Sequence, residues 1–378
     1  MPRRSPFRPS FGVTPPLVAG RDPIVAELAD ALDAGPGAPG RASLFTGNRG
    51  IGKTVMLNEV EALARSRGWV VVSETATKGL LERLTREELP DLARLLRQQP
   101  GREPRRISGV TLPAGLGGIT FDIPDPQRPG GMRQQITALS DVLDAHGTGL
   151  LLTIDEVHST AAREDIRQIC AVIQHAFLEQ RPVAFAAAGL PEAVQDLLTD
   201  DVSTFLRRAR RFPLAPLTPP AAEEALRVPI EDAGRRVDPD ALSAMAAASF
   251  GYPYFIQVIG DNAWRRESDA DIITMEHAAA GIESAIRESG FAVHEPAMND
   301  LSDMDRQFLL AMQQDAADTG DSAIADIQQR LSRNHSWTSR YRSRLIHAGV
   351  IEPAGRGRVR YALPYLAEFL AEHGDRYE

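Results

Sequence analysis

A glycine-rich loop between a predicted strand and a predicted helix constrains this sequence more than any other feature. Residues 47–54 have the spacing G-x-x-x-x-G-K-[ST], which is typical of loops that bind phosphate. The apolar run at residues 43–46 predicts a buried strand, and residues 55–63 have helical periodicity. A strand, a loop and a helix in this order predict a site where backbone amides and a helix N-terminus receive the phosphates of a nucleotide.

The loop also holds one of the few lysines of the chain. There are 40 arginines but only two lysines, Lys53 and Lys78. An arginine fork is too large to lie under a phosphate chain, whereas the lysine ammonium is a compact charge that fits there. We therefore predict that Lys53 reaches the β- and γ-phosphates and that the Thr54 hydroxyl ligates Mg²⁺. The residues predicted to hold the phosphates are Gly47, Asn48, Arg49, Gly50, Ile51, Gly52, Lys53, Thr54 and Val55.

A second apolar run, about 100 residues after the loop, ends in two acidic residues. Residues 150–154 predict a buried strand, and Asp155 and Glu156 follow it directly. A strand that delivers carboxylates at its end is the Walker B arrangement of nucleotide-hydrolysing enzymes. We predict that Asp155 holds Mg²⁺, directly or through water, and that Glu156 is the catalytic residue that orients and polarises the attacking water.

Three more apolar runs predict further strands of the same sheet. They cover residues 69–73, 183–188 and 211–214, and helical patterns lie between them. This alternation predicts an α/β fold with a parallel five-stranded sheet covered on both faces, which binds ligands at the C-terminal ends of its strands. Residues 100–132, rich in Gly, Pro and Arg, predict an insertion with a hairpin within residues 107–123. The insertion is either an interaction element or a surface loop.

The length and composition of the chain set further limits. Its 378 residues predict two or three domains, and the only cysteine, Cys170, lies in an apolar helical pattern that predicts a core position. A single cysteine allows no disulfide within the chain, and no apolar run is long enough to span a bilayer. We therefore expect a cytoplasmic protein without a membrane partner. The Pro-rich, basic residues 1–16 predict a loose arm rather than a signal peptide.

The net charge hides a basic segment near the C-terminus. The formal net charge is −9, but residues 330–362 contain eight arginines and one acid, Glu352, so they carry +7 and the remainder carries −16. A basic segment on an acidic protein indicates a local anionic partner.

The periodicity of residues 300–378 predicts a winged helix-turn-helix domain. Three helical patterns begin near Met304, Ile324 and Trp337, and two apolar strands flank a glycine–arginine tip at residues 354–358. A recognition helix in the major groove, with arginines gripping phosphates around it, would bind double-stranded DNA. Alternatively, this domain docks on a protein partner. The residues predicted to contact DNA are Trp337, Arg340, Arg344, Arg356 and Arg358.

Six segments in this order resemble one protein family. They are residues 17–22, 47–54, 154–156, 188–191, 216–218 and 251–257, the last reading Gly-Tyr-Pro-Tyr-Phe-Ile-Gln. Over about residues 18–368 the chain resembles bacterial AAA-type ATP-binding proteins, which are related to archaeal origin-binding initiator ATPases and STAND signalling NTPases.

The resemblance implies how the rest of the nucleotide is held. It implies that the nucleotide is ATP and that an adenine clip, with Val18 and Gly20, lies at residues 17–21. It also implies a helical lid whose Pro253 faces the nucleotide, although a proline is equally suited to the first turn of a helix, and both can hold. The domains predicted are a flexible basic arm at residues 1–16, a P-loop ATPase core at 17–218, a helical lid at 219–290 and a winged-helix domain at 300–378.

Two departures from the family pattern bear on catalysis. Ala187-Ala188-Gly189 stands where many AAA+ proteins have a polar sensor, and Pro253 stands where many have a lid arginine. We therefore expect ATP binding with slow hydrolysis. An arginine finger, which would act across the interface of a homo-oligomer, is predicted at Arg208 in the basic run at residues 207–211. Alternatively, this run is a solvated basic edge of the core.

Three functions agree with these features. The first is an ATPase whose nucleotide state controls DNA binding through the C-terminal domain. The second is a nucleotide-gated signalling switch with little turnover, whose C-terminal domain contacts a protein. The third is a loader or accessory ATPase for replication or a mobile element, which acts on another protein.

Overall fold

The computed structural model describes residues 3–10, 12–97, 105–107, 110–112, 130–199, 206–316 and 320–377. The chain divides into two compact units. The core unit comprises Arg21–Gly47 and Lys53–Leu214, and the helical unit comprises Met1–Gly20, Asn48–Gly52 and Ala215–Glu378. The apex of the glycine-rich loop therefore belongs to the helical unit, although its flanking strand and helix belong to the core unit.

The core unit is built on one sheet. Its strands are β1 Ala42–Thr46, β2 Val70–Thr75, β3 Arg105–Ile107, β4 Val110–Leu112, β5 Leu150–Asp155, β6 Val183–Gly189 and β7 Arg210–Pro213. They lie in the order β3-β4-β2-β5-β6-β1-β7. All pairs from β2 to β7 are parallel, so the predicted five-stranded parallel sheet is confirmed. The C-terminal ends of β1 and β5 consequently meet at one edge of the sheet.

Helices cover the sheet of the core unit. They are α1 Asp22–Asp33, α2 Lys53–Ser66, α3 Leu80–Arg83, α4 Leu89–Arg97, α5 Met132–Asp144, α6 Arg163–Leu178 and α7 Pro191–Thr199. The seven residues of β6 are all buried, as expected for a strand with a helix layer on each face. Cys170 on α6 is fully buried, which raises the pKa of its thiol to about 12 and fits the predicted core position.

The insertion adds two antiparallel strands to the sheet. Strand β4 pairs antiparallel with β2, and β3 pairs antiparallel with β4. The sequence predicts a hairpin within residues 107–123, whereas the first observed strand of this pair already begins at Arg105. The pairing of β4 with β2 decides its position, and this long-range pairing leaves no local signal in the sequence. The rest of the predicted hairpin lies outside the described residues.

The first part of the helical unit is a group of helices. They are α8 Pro219–Asp232, α9 Pro239–Ala248, α10 Pro253–Arg266, α11 Met275–Ser289 and α12 Glu295–Asn299, with strands β8 Arg236–Val237 and β9 Ile272–Ile273 forming a small parallel sheet. Helices α10 and α11 approach closely at Gly281, where an added Cβ would lie 2.6 Å from the backbone N of Ala263. A larger residue at this position would push the two helices apart.

The last part of the helical unit has the predicted order of elements. Its helices are α13 Asp303–Ala316, α14 Ile324–Arg330, α15 His335–His347 and α16 Leu366–His373, and its strands are β10 Ser322–Ala323, β11 Ile351–Pro353 and β12 Arg358–Tyr361. Strands β11 and β12 form the predicted antiparallel hairpin, and β10 joins it in the order β10-β12-β11. Strand β10 was not predicted, because two residues are too short for an alternating pattern. The winged-helix assignment stays a prediction.

The N-terminal segment differs from the loose arm that we expected. Phe7 is 5% exposed and lies against Gly260, where an added Cβ would come within 2.6 Å of its ring. Arg3 pairs with Asp271 at 2.7 Å, and the Trp264 Nε1 donates to the Arg3 carbonyl oxygen at 3.0 Å. Burial of the Phe7 ring therefore holds residues 3–10 on the helical unit, a contact that proline and arginine content did not indicate.

Burial of His294 predicts a dependence of stability on pH. The residue is 1% exposed, its Nε2 lies 2.8 Å from the Pro364 carbonyl oxygen, and burial lowers its pKa from 6.5 to about 4. Between these values the unfolded chain binds a proton here and the folded chain does not. The free energy of unfolding should therefore be full above about pH 6.5 and fall by about 3 kcal/mol as the pH drops to 4. Urea unfolding at a series of pH values measures this loss.

The variant His294→Gln isolates the contribution of this ring. Glutamine keeps an N–H donor for the Pro364 carbonyl but does not titrate in this window. The variant should therefore lose less stability than the wild type between pH 6.5 and 4.5. Equal losses in the two proteins would assign the pH dependence to other groups.

Candidate functional site

The glycine-rich loop has a backbone that only glycine adopts easily. Gly50 and Gly52 have φ angles of 77° and 94°, in the left-handed region where a Cβ causes strain. Directly after Gly52, helix α2 begins at Lys53. The two glycines thus turn the chain so that the N-terminus of α2 follows the end of β1, as the motif predicted.

Lys53 is held near the strand end from which the loop starts. The residue is 7% exposed, and its Nζ donates to the Gly47 carbonyl oxygen at 3.0 Å. This hydrogen bond compensates part of the cost of burying an ammonium group. It also keeps the charge inside the loop that should receive phosphates.

The two predicted Mg²⁺ ligands lie in direct contact. The Thr54 hydroxyl, in the first turn of α2, donates to Asp155 Oδ2 at 2.6 Å. Asp155 ends β5, and its Oδ1 accepts from the backbone N–H of Glu156 at 2.8 Å. Burial raises the pKa of the Asp155 carboxyl, and the hydrogen bond from Thr54 opposes this shift. A hydroxyl and a half-buried carboxylate at this separation are the hard oxygen donors that Mg²⁺ prefers, so the residues present fit the ion.

Glu156 occupies a strained position at the end of β5. Its φ is 58°, which is uncommon for a residue with a side chain and is typical of functional sites. Its Oε2 lies 2.8 Å from Nε2 of His158, and the carboxylate is 47% exposed. The sequence did not predict this contact, although the spacing of the two residues across a turn was visible. His158 can therefore hold the carboxylate of the predicted catalytic residue.

A buried carboxylate behind the loop was missed in the sequence. Glu61, on the buried face of α2, is 5% exposed. Its Oε1 accepts from the hydroxyls of Ser73 and Thr153, both at 2.6 Å, and its Oε2 accepts from Arg65 at 2.7 Å. The network ties α2 to β2 and β5, the strand that carries Asp155. A glutamate among the apolar positions of a helix was the available signal.

The other two catalytic features of the core unit are also placed by the structure. At the end of β6, Ala187 and Ala188 are 1% and 0% exposed, so no polar side chain projects where a sensor was sought. Arg208 is exposed in a short helical turn at residues 206–208, whereas the Arg207 guanidinium donates to the carbonyls of Leu198 and Thr199. Nothing within the core unit engages Arg208 by an ion pair among the described residues, and its role as a finger stays a prediction.

Within the helical unit, the predicted lid proline lies beside the loop apex. Pro253 is the first residue of α10, and an added Cβ on Gly52 would lie 3.7 Å from its Cγ. Gly251 has a φ of 69°, and an added Cβ there would meet the Leu217 carbonyl oxygen at 2.3 Å, so only glycine fits. Of the predicted clip, Val18 is half-buried, and Gly20 has a φ of 67° and packs beside Ala221.

The family of the first half of the chain follows from its match to known sequences. Residues 17–185 match a family model described as the AAA ATPase domain. Over these residues the chain is similar to AAA ATPase domains, and we call them the AAA domain. Residues 292–370 match a second model, described as a domain of unknown function (DUF8462). No curated protein matches the chain in sequence.

Two solved structures are similar in fold to this chain over most of its length. The ORC2 protein of Aeropyrum pernix, solved as ADPNP–ADP complexes, has a TM-score of 0.69 at 14% identity, covering 100% of this chain and 98% of that chain. A Walker-type ATPase of Pyrococcus abyssi has a TM-score of 0.66 at 14% identity, covering 94% and 96%. At this identity the likeness shows the fold alone. The chain shares the fold of these two proteins, in agreement with the resemblance seen in its sequence.

Downstream of the AAA domain, α15 has one buried and one exposed face. Thr338 and Leu345 are fully buried, and the half-buried Trp337 packs against Tyr341 with ring centroids 4.2 Å apart and ring planes tilted by 30°. The exposed residues of α15 are His335, Ser336, Ser339, Arg340, Ser343 and Arg344. Trp337 is therefore partly a packing residue, and Arg340 lies on the outer face.

Several arginines of the basic segment are neutralised by acids that are distant in sequence. Arg344, predicted to contact DNA, donates to Oδ2 of the buried Asp305 at 2.7 Å. Arg358, also predicted to contact DNA, donates to Oδ1 of Asp321 at 2.6 Å. Arg340 and Arg356 are exposed and make no ion pair with any residue that the structure describes. The positive charge available to an anionic partner is thus smaller than the sequence count of +7.

Removal of the Glu61 carboxylate should destabilise the AAA domain. The variant Glu61→Ala leaves Ser73, Thr153 and Arg65 without their shared acceptor, so the free energy of unfolding should fall by about 3 kcal/mol. Chemical denaturation of the full chain measures this loss. The matched control is Glu59→Ala on the same helix, where the side chain is partly exposed and a change below about 0.5 kcal/mol is expected. Equal losses would argue against the network.

Proposed function

We propose that this protein binds and slowly hydrolyses ATP, and that its nucleotide state controls the binding of double-stranded DNA by the C-terminal domain. The hydrogen bond between Thr54 and Asp155 is the observation that supports ATP binding and hydrolysis. It joins the residue after the loop lysine to the acidic end of β5, in the arrangement that nucleotide hydrolysis requires. We also propose a cytoplasmic location, because a chain with a single cysteine suits a reducing compartment.

The residues of the AAA domain divide the work of hydrolysis. Lys53 would exchange its bond to the Gly47 carbonyl for phosphate oxygens, since an ionised acceptor is the stronger partner. Mg²⁺, held by Thr54 and Asp155, would neutralise charge that develops on the phosphates. Glu156 would accept a proton from water, and its contact with His158 orients the carboxylate. Arg208 would act from a second copy of the chain.

The exposed face of α15 supports the DNA part of the proposal. Its serines offer short hydroxyl groups to a groove, and Arg340 offers a long cation that has no ion pair among the described residues. Arg356 lies at the tip between β11 and β12, where a wing contacts phosphates. We assign Arg344 and Arg358 chiefly to the fold, because their guanidinium groups already pair with Asp305 and Asp321.

Two observations favour a slow switch as the second candidate function. The end of β6 carries Ala187 and Ala188 without a polar side chain, and in a switch the contact between His158 and Glu156 would restrain the carboxylate instead of orienting it for water activation. In a switch, ATP or ADP would remain bound and the C-terminal domain would contact a protein. Co-purified nucleotide with near-zero turnover would support this function.

ATP turnover with and without duplex DNA distinguishes the two functions. In an ATPase, Glu156→Gln should lower turnover by on the order of 100-fold or more, because the base is lost while phosphate binding is kept. Lys53→Ala should lose ATP binding, which fluorescence titration measures directly. Turnover that is equal in the wild type and in Glu156→Gln would remove Glu156 from the catalytic step.

Exposed arginines should carry the DNA affinity. The double variant Arg340→Ala with Arg356→Ala should weaken duplex binding and reduce the slope of log K against log salt by about 2, if each arginine neutralises one phosphate. ATP binding should be unchanged, because neither residue touches the loop. We prefer this pair to Arg344, whose loss would also expose the buried Asp305 carboxylate. A wild-type protein that binds no duplex at low salt would contradict the DNA part.

A further inference from the structure

The apex of the phosphate-binding loop is held by acids of the C-terminal part of the helical unit. The Asn48 side-chain Nδ2 donates to Oε2 of Glu352 on β11 at 3.1 Å. The neighbouring Arg49 pairs with Asp300, between α12 and α13, at 3.8 Å. The Gly50 carbonyl oxygen accepts from the backbone N–H of Tyr254 at 3.4 Å. Three successive loop residues are thus fixed, two of them by carboxylates.

Glu352 is the most informative of these contacts because each of its oxygens has a different partner. While Oε2 accepts from Asn48, Oε1 accepts from the Arg360 Nε at 2.6 Å. Arg360 faces Glu352 across the β11–β12 hairpin, whose tip carries Arg356. One carboxylate therefore joins the loop to the hairpin that we assign to DNA. The carboxylate is 31% exposed and Arg360 57%, so both remain within reach of a ligand.

A second contact holds the same region in register. The buried Tyr252 hydroxyl donates to the Ala362 carbonyl oxygen at 3.0 Å, one residue after β12, and it also hydrogen-bonds the Asn48 side chain. Tyr252 precedes Pro253, the residue beside Gly52. The loop apex, the start of α10 and the end of the hairpin therefore meet at Asn48. Movement of the hairpin relative to the loop must break the bond between Asn48 and Glu352.

We propose that Glu352 is a positioning residue that couples ATP binding to DNA binding. Its carboxylate competes with the phosphates of both ligands for groups of the protein that bind them. Its carboxylate occupies one donor in the nucleotide loop and one cation on the DNA-binding hairpin, and both are groups that phosphates would otherwise engage. ATP would displace Oε2 from Asn48, and a DNA phosphate would displace Oε1 from Arg360. Each ligand weakens the bridge, so each favours the other.

Two physical consequences follow, and both rest on the proposed function. First, ATP and duplex DNA should raise each other's affinity by the same factor, because coupling between two binding equilibria is reciprocal. Second, loss of the Glu352 charge should favour phosphates in particular. Without it, Arg360 is uncompensated, and the electrostatic potential at the loop becomes more positive. The affinity for an uncharged ligand should be unchanged.

The test compares ATP with adenosine in full-length protein. Titrations with Mg²⁺ present use the wild type, Glu352→Gln and the matched control Glu372→Gln, whose carboxylate is 76% exposed on α16. Glu352→Gln should bind ATP roughly threefold to tenfold more tightly than the wild type, with the affinity for adenosine unchanged. It should also bind a short random-sequence duplex more tightly, and ATP should enhance this binding less than in the wild type. Glu372→Gln should match the wild type throughout.

The outcomes separate this proposal from the function on which it rests. If the wild type binds ATP and Lys53→Ala does not, but Glu352→Gln binds ATP like the wild type, the bridge is refuted and the ATP-binding function stands. If adenosine affinity changes as much as ATP affinity, Glu352 acts on the fold and not on phosphate, which also refutes the bridge. A wild type that binds no ATP would refute both. Because glutamine has nearly the volume of glutamate, Glu352→Gln should fold like the wild type. If Glu352→Gln does not fold, Glu352→Ala is the second variant.

Discussion

The hydrogen bond between Thr54 and Asp155 is the contact on which the proposed chemistry depends. It joins the first turn of α2 to the end of β5 across a distance of 2.6 Å. The parallel sheet makes this possible, because β1 and β5 both end at one edge and β6 lies between them. The hydrogen bonds that Glu61 accepts also stabilise this geometry, because they join α2 to β2 and β5. The residues predicted to hold Mg²⁺ are thereby held on rigid elements.

In the helical unit, tertiary contacts decide how much of the arginine charge is available to a partner. Eight arginines in residues 330–362 predicted a strongly basic surface. In the structure, however, acids elsewhere in the unit neutralise Arg330, Arg344 and Arg358. The arginines left on the surface without an ion pair among the described residues, Arg340 and Arg356 among them, form a smaller set. Glu352, the single acid of the segment, has the most specific set of partners.

Local patterns predicted most of the regular elements. The five parallel strands and the three C-terminal helices were found because apolar runs and helical periodicity are properties of consecutive residues. The sequence did not indicate that Phe7 docks at Gly260, that β4 pairs with β2, or that β10 exists. Each of these depends on contact between distant segments, and β10 is only two residues long. The contact between Glu156 and His158 was missed for another reason: a left-handed residue at position 156 has no signature in the side chain.

The sequence by itself determined that the chain carries a phosphate-binding loop followed by an acidic strand end, because fixed spacing and the preferences of glycine, lysine and carboxylates are local. It also determined the α/β fold of the AAA domain and the order of the C-terminal elements. Only the tertiary structure decided which charges remain available and which are paired. It alone placed Glu352 beside Asn48, which is 304 residues away in the sequence, while Arg360 faces it across the hairpin. Hydrogen bonds between such distant residues depend on how whole elements pack, and no local pattern encodes them.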